Sequence, residues 1–429
     1  QIWHKCFAGD PVIVIGARSS LFLPFTNLGL IVVDEEHDSS YKQEDNIRYQ
    51  ARDLAVVRAK IEKNFILLAS ATPSLETINN VKIKKYDQVY LSKQFSGTPL
   101  PEISIIDLNK NKLDKDKWIS QSIIDSISQC LENKEQTLIF LNRRGYSPLT
   151  LCNSCGYRYE CDQCSSWMVM HQHKKVFLCH QCGTIKKLNL DCPQCNENDS
   201  IKFVGPGVER VAEELKEFFP GKNISIMSSD NVNTPNKIKK FITDINNKDI
   251  DIIVATQIMA KGYHFPNLSF VGVIDADAGL VGGDIKAIER TYNLLEQVSG
   301  RAGRSKQLGK VLIQTYYPNQ PIMQSLKNRD RKNFVEQSLL EREKFDIPPF
   351  SFMTAIIISG SSKTRVESYS INLAKALNPE DKVSILGPVE APLYLLRGKY
   401  RYRILLKAKS RRSLNIFTRN LIKICPTPA

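Results

Sequence analysis

The sequence has no apolar run approaching the ~18 residues that read as a membrane span; its longest runs, such as residues 13–15 and 30–33, have the length of core strands. A membrane helix is excluded. It opens QIWHKCFAGD, with neither a starting methionine nor an apolar leader, so no secretory signal is read. The chain is expected to begin inside a longer reading frame and to work in the cytoplasm. There is no fixed-period repeat and no low-complexity tract. With 42% hydrophobic and 24% charged residues, disorder, collagen and coiled coil are excluded as main themes. Acidic residues are in deficit, 45 against 59 Lys and Arg, and the net charge of +14 favours a polyanionic partner, nucleic acid ahead of an anionic membrane surface. At 429 residues the chain exceeds one compact core, and about three domains are expected.

Residues 1–110 alternate apolar runs (11–15, 28–33, 65–69) with a helical stretch at 50–60 whose Ala51, Leu54, Ala55 and Arg58 are helix-spaced. That is the pattern of a parallel sheet with crossover helices. After a polar linker at 107–117 a second α/β series starts at 137–141. It resumes past a cysteine block with a helix at 208–219 and strands at 250–255, 270–274 and 309–315. The block is thus an insertion, at 150–200, into a second lobe spanning 111–335. A charged helix at 333–345 leads into a small α+β domain over 336–429, with strands at 354–358 and 402–406 around a helix at 366–377.

Directly after the strand at 28–33 stands Asp34-Glu35-Glu36-His37. A carboxylate at the C-terminal end of a buried parallel strand is where α/β sheets place ligand chemistry, so Asp34 is expected to hold Mg²⁺ and Glu35 to orient the attacking water. The competing reading is a solvated acidic loop. The run at 65–69 ends in Ser70-Ala71-Thr72-Pro73, and a helix at 289–299 runs into Gly300-Arg301-Ala302-Gly303-Arg304. Gln297, Arg301 and Arg304 lie at i, i+4 and i+7; a helix continuing that far presents all three on one face and can set two guanidinium groups on a γ-phosphate. Alone, such a string is also an ordinary helix end.

In this order the strings resemble the nucleic-acid helicases of superfamily two: DEEH as motif II, SAT as motif III, Thr256 to Pro266 as motif V and QVSGRAGR as motif VI. The cysteines, with Gly16-Ala17-Arg18-Ser19, residues 37–53, FLNRRGYSP at 140–148 and Leu386-Gly387-Pro388-Val389, narrow the likeness to the replication-restart helicases. The resemblance implies two RecA-like lobes, the first incomplete, and ATP with Mg²⁺ as cofactors. It also implies a cofactor site drawing on Asp34, Gly262, Arg301 and Arg304. Forked and single-stranded DNA, primosome proteins and the single-stranded-DNA-binding protein are the implied partners.

Of 11 cysteines, eight form four C-x-x-C knuckles: Cys152/155, Cys161/164, Cys179/182 and Cys192/195, enough for two tetrahedral zinc sites. Four knuckles pair in three ways. Fourteen residues between Cys164 and Cys179 suit a zinc ribbon, so the nested pairing is favoured, with Cys152/155 and Cys192/195 closing the second site. The resemblance implies the same. His171, His173 and His180 are read as surface residues, and Cys6, Cys130 and Cys425 as ordinary thiols.

Tyr41, Lys42, Arg48, Tyr49 and Arg52 follow the DEEH and resemble the aromatic-rich loop that couples DNA binding to ATP hydrolysis in such helicases, with Ile47 where the family has a large aromatic. Arg143 and Lys261 join them as DNA-binding residues on the same resemblance. A second basic-aromatic run, Arg397 to Arg403, alternates with period two; its bland reading is an edge strand kept soluble by charge.

No G-x-x-x-x-G-K-[ST] string is present; Gly360-Ser361-Ser362-Lys363-Thr364 lacks both glycines in register. Family positions also change at Ser228-Ser229-Asp230. Two functions are therefore carried: an ATP-dependent DNA helicase that reloads replication at stalled forks, here an N-terminally truncated motor, or a non-enzymatic zinc-containing module that binds DNA or docks the primosome.

Overall fold

The computed structural model describes all residues except 45–46, 92–99, 115–116, 143–148, 153, 156, 158, 164–167, 172–175, 180–183, 199, 205–206, 229–231, 233, 257–264, 278–279, 281–284, 304–308, 378–381 and 425–429. It divides into two compact units, Gln1–Tyr90 and Leu91–Ala429.

The first unit runs α1 (Ile2–Ala8), β1 (Leu30–Val33), the short strands β2 (Lys42–Gln43) and β3 (Tyr49–Gln50), α2 (Ala51–Glu62), β4 (Phe65–Leu68) and α3 (Leu75–Lys82). β1 and β4 pair in parallel, Leu30 opposite Phe65 and Val33 opposite Leu68, joined by α2 as the alternating pattern requires. The expected strand at 11–15 does not form. No strand is assigned to this stretch, and Ile13 and Ile15 are 95% and 96% exposed.

The second unit is the larger. Its elements are β5 (Glu102–Asp107), α4 (Gln121–Glu132), β6 (Gln136–Leu141), β7 (Leu149–Cys152), β8 (Val169–His171), β9 (Val176–Leu178), β10 (Ile185–Lys187), β11 (Ile201–Val204), α5 (Val208–Phe218), β12 (Ile224–Met227), α6 (Pro235–Asn246), β13 (Ile252–Ala255), β14 (Leu268–Asp275), α7 (Ala287–Ser299), β15 (Lys310–Thr315), α8 (Pro321–Asn328) and α9 (Arg331–Lys344). Six parallel strands lie in the order β12-β13-β6-β14-β15-β5, the parallel-sheet architecture typical of RecA-like lobes. Central β6 is buried along its whole length; Ile139 and Leu141 meet Ile123 and Ile127 of α4 and Val211 and Leu215 of α5 in one core.

Glu102–Asp107 was assigned to a first lobe ending at 110, yet it pairs with β15 from Glu102 opposite Lys310 to Asp107 opposite Thr315, so the boundary falls near 90. A strand joins whichever sheet edge its backbone reaches, and this partner lies two hundred residues downstream. The helix expected at 289–299 is α7, which ends at Ser299 as read and does not run on through the arginines. Gly300 caps it, Gly303 turns at φ +70°, and Arg301 lies in the turn between them.

The cysteine insertion rises from β6 on an antiparallel stem, β7 with β11, and carries the three-stranded sheet β10-β9-β8. The C-terminal part is an α+β layer of β16 (Phe352–Gly360), α10 (Lys363–Ala376), β17 (Val383–Leu396), β18 (Lys399–Ala408) and α11 (Arg411–Ile424), with sheet order β16-β18-β17. β18 is central, so the edge-strand reading of Arg397 to Arg403 is wrong: its charge does not guard an edge. No described helix is long and apolar enough to cross a membrane.

Candidate functional site

The acidic turn follows β1 where the alternating strand ends. Asp34 Oδ1 accepts from the Glu35 amide at 2.9 Å, and Glu35 takes a left-handed φ of +48°, a conformation that tightens the turn. Glu36 N donates to Ala69 O at 3.1 Å, tying the turn to the end of β4. His37 Nδ1 lies 2.7 Å from Ser70 Oγ and its Nε2 3.3 Å from Thr72 Oγ1, so the DEEH and SAT strings meet through side chains. Asp34 and Glu35 stay exposed at the C-terminal end of the sheet, the expected position for metal and water chemistry.

The third acid, which the sequence reading passed over, is the best held. Glu36 is 1% exposed and receives Arg52 Nη1 at 2.9 Å, Ser74 N at 2.6 Å, Ser74 Oγ at 3.1 Å and Thr77 Oγ1 at 3.0 Å. Arg52 is correspondingly not a DNA-facing cation. It is 8% exposed, and its other edge meets Asp53 at 2.9 Å. Burial alone would lower its pKa, but the charges of Asp53 and Glu36 and their hydrogen bonds carry it above the ordinary value. A buried guanidinium needs a carboxylate, and Glu36 supplies it. Ser74 as cap of α3, three residues before Thr77, was the local signal available.

Of the other residues of this segment, Lys42 and Arg48 are exposed. Tyr41 and Tyr49 are half-buried and engaged: Tyr41 donates its hydroxyl to Asp34 O at 2.6 Å, and Tyr49 sets its ring edge-on to Phe22 at 5.3 Å. Burial and then the charge of Asp34 raise the Tyr41 pKa, so its hydroxyl remains a donor. In the second unit Gln297 and Arg301 are half-buried. Arg143, Lys261, Gly262 and Arg304 lie outside the described residues, as do Cys164, Cys182, Cys425, His173, His180 and Ser229-Asp230.

The cysteine module carries the clearest ligand geometry. The Sγ atoms of Cys152, Cys155, Cys192 and Cys195 all lie within 4.8 Å of one another, with Cys152 to Cys195 at 3.7 Å and Cys155 to Cys192 at 3.6 Å. Zn–S bonds of about 2.3 Å in a tetrahedron place sulfurs about 3.8 Å apart, so this set could hold a zinc ion. It is also the outer pair of the nested arrangement. Ser200 Oγ at 3.3 Å, opposed by burial and helped by the Cys155 and Ser154 amides, brings the Cys152 thiol down to about 6. The Glu197 amide draws Cys195 down, but burial and the neighbouring thiols push it up to about 12. Four such thiols cannot all ionise without a cation to share their charge. Of the inner set, Cys161 and Cys179 are described and buried, and Gln163 N donates to Cys161 Sγ at 3.4 Å. Cys6 is buried and Cys130 half-buried.

Three family profiles match in chain order: the DEAD/DEAH box helicase over residues 3–81, the helicase conserved C-terminal domain over 182–306 and the Primosomal protein N C-terminal domain over 343–425. The chain is similar to the "Replication restart protein PriA" of Rickettsia conorii, 48% identical over 415 residues, which covers 96% of this chain and 64% of the relative. It is 37% identical to that of Haemophilus influenzae, covering 96% and 56%, and 33% identical to that of Bacillus subtilis, covering 98% and 52%. The chain therefore spans between about half and two thirds of these relatives' length.

Proposed function

Because the chain belongs to the PriA family over 96% of its length, we propose that it supplies ATP- and DNA-handling parts of a motor that recognises stalled or forked DNA and restarts replication there. The supporting observation is the acidic turn at the C-terminal end of β1, bonded to the SAT turn after β4 through His37 and Ser70 at 2.7 Å. In this reading Asp34 takes Mg²⁺ and Glu35 the attacking water. Gln297, Arg301 and Arg304, with Gly262, serve the nucleotide's phosphates. Lys42, Arg48, Arg143 and Lys261 meet DNA phosphates, with Tyr41 and Tyr49 shaping the loop. Docking to primosome proteins and to the single-stranded-DNA-binding protein completes the role.

The 429 residues contain no G-x-x-x-x-G-K-[ST] string. Phosphoryl transfer is mostly positioning and electrostatics, so by themselves they are expected to bind forked DNA but to hydrolyse ATP poorly. A DNA-stimulated ATPase assay tests this: robust turnover abolished by Glu35→Gln would overturn the expectation of poor hydrolysis. Activity regained on adding in trans a segment that carries a phosphate loop supports a motor, and its absence with DNA binding intact favours the non-enzymatic module. DNA affinity should fall with salt, and Lys42→Ala with Arg48→Ala should flatten that slope. Equal affinity at low and high salt would remove the charge argument.

Two zinc ions are expected, the second on Cys161, Cys164, Cys179 and Cys182, as scaffolds with no catalytic part. Metal analysis should return two per chain, and one after Cys161→Ser; one or none in the unaltered protein would reject the scheme.

A further inference from the structure

Resting on the zinc reading of the outer thiol set, we infer that metal binding by the cysteine module and the seating of the C-terminal hairpin upon that module are coupled, so that loss of the metal releases the hairpin. The hairpin is the join of β17 and β18. Its register closes with Leu396 opposite Lys399, which leaves Arg397 and Gly398 as a two-residue turn, both at positive φ, +51° and +72°. In such a turn the second residue's N–H points away from the hairpin's own ladder and takes its partner elsewhere or from water. Here it crosses to the module, where Gly398 N donates to Gln163 O at 2.7 Å. Beside it Leu396 packs against the module's core of Cys152, Cys161, Met168, Phe177, Cys179 and Cys192.

Two features tie this contact to the thiols. The core that seats Leu396 is walled largely by sulfur, and two of its members, Cys152 and Cys192, each 1% exposed, belong to the four-thiol set that could hold zinc. A centre this small holds together through its metal bonds more than through apolar area, so emptying the site removes the seat. The second feature is Gln163. Its carbonyl takes the hairpin, while its own N–H donates to Cys161 Sγ at 3.4 Å, the same bond that Ser154 makes to Cys152 at 3.3 Å and Gln194 to Cys192 at 3.4 Å. One residue is thus held by a knuckle sulfur and holds the hairpin. By linkage, the factor by which metal strengthens the seating is the factor by which seating strengthens metal binding.

The test is hydrogen exchange by mass spectrometry on the full chain, loaded with zinc and after stripping with EDTA, with zinc affinity read in parallel by competition with a metallochromic chelator. Stripping should speed exchange at 396–399 about tenfold, within the usual range for coupled sites, while 352–360 and 402–408 keep their protection. Leu396→Ala should free the tip in the loaded protein and weaken zinc binding by the same factor. A tip that does not respond to stripping, in a protein that does hold zinc, would overturn the coupling alone. So would a Leu396→Ala protein with a freed tip and undiminished zinc affinity, or protection lost through 352–360 and 402–408 together, which marks collapse of the domain and not release of its hairpin. A chain that takes up no zinc would overturn the metal reading and the coupling with it. If Leu396→Ala does not fold, the loaded and stripped states of the unaltered chain decide.

Discussion

The two parallel sheets are made of the same kind of strand and end up buried to opposite extents. β6 reads QTLIFL and every one of its residues is enclosed, with helices packed on it and strands on both sides. β1 and β4 read LIVV and FILL, equally apolar, yet their side chains alternate: Val33 is buried toward α2, whereas Leu30, Val32, Phe65 and Leu67 are exposed. No described residue covers that second face. An unbroken apolar run therefore encodes capacity for burial on both faces; whether the capacity is used depends on which layers are present to pack on it.

The largest expected effect of this contrast is in local opening. Backbone amides of β6, β13 and β14 should exchange only with global unfolding of their unit, while those of β1 and β4 should open at a free energy lower by about 5 kcal/mol or more. Equal protection in the two sheets, measured by hydrogen exchange, would break the comparison. Next in size is a pair of truncations followed by chemical denaturation. Ile139→Ala in β6 should destabilise the second unit by about 2–5 kcal/mol, since it leaves a cavity among side chains that cannot collapse. Leu67→Ala, at a side chain 51% exposed, should change the first unit by less than about 0.5 kcal/mol.

The smallest effect sharpens the comparison from the surface of the closed unit. The bond from Lys409 at 2.5 Å, with Lys407 at 3.6 Å, holds the Asp346 carboxyl below the ordinary range. A carboxylate with a lowered folded-state pKa contributes stability that is present above its unfolded value, about 3.9, and lost as pH falls through the folded one. The pair is largely solvated, so Asp346→Asn should cost less than about 1 kcal/mol at neutral pH and nothing at strongly acid pH. A cost that persists in acid would mean the side chain acts through packing.

Elements were legible where the signal was local. The helix expected at 208–219 is α5, the strand at 309–315 is β15, and the helix at 50–60 is α2, because helical and strand periods are properties of neighbouring residues. The four C-x-x-C knuckles were likewise legible, since two residues between thiols set the bite of a knuckle whatever surrounds it, while the nested pairing was favoured by the 14-residue gap between the inner knuckles and by the resemblance. Arg52 was misread for the opposite reason. Beside Lys42 and Arg48 it looks like one more surface cation, and only Glu36 and Ser74, brought up from 16 and 22 positions away, turn it inward.

By itself, then, the sequence determined most of the helices and strands, the order of the DEEH, SAT and QVSGRAGR strings and the four C-x-x-C knuckles. Those depend on backbone period and on spacing over a few residues. The tertiary structure alone decided that residues 102–107 complete the second sheet, that no strand forms at 11–15, and that the third acid of the turn and not the first two is buried. Each is a choice of distant partner, made where desolvation must be offset by a hydrogen bond or a packed face that no local window of sequence contains.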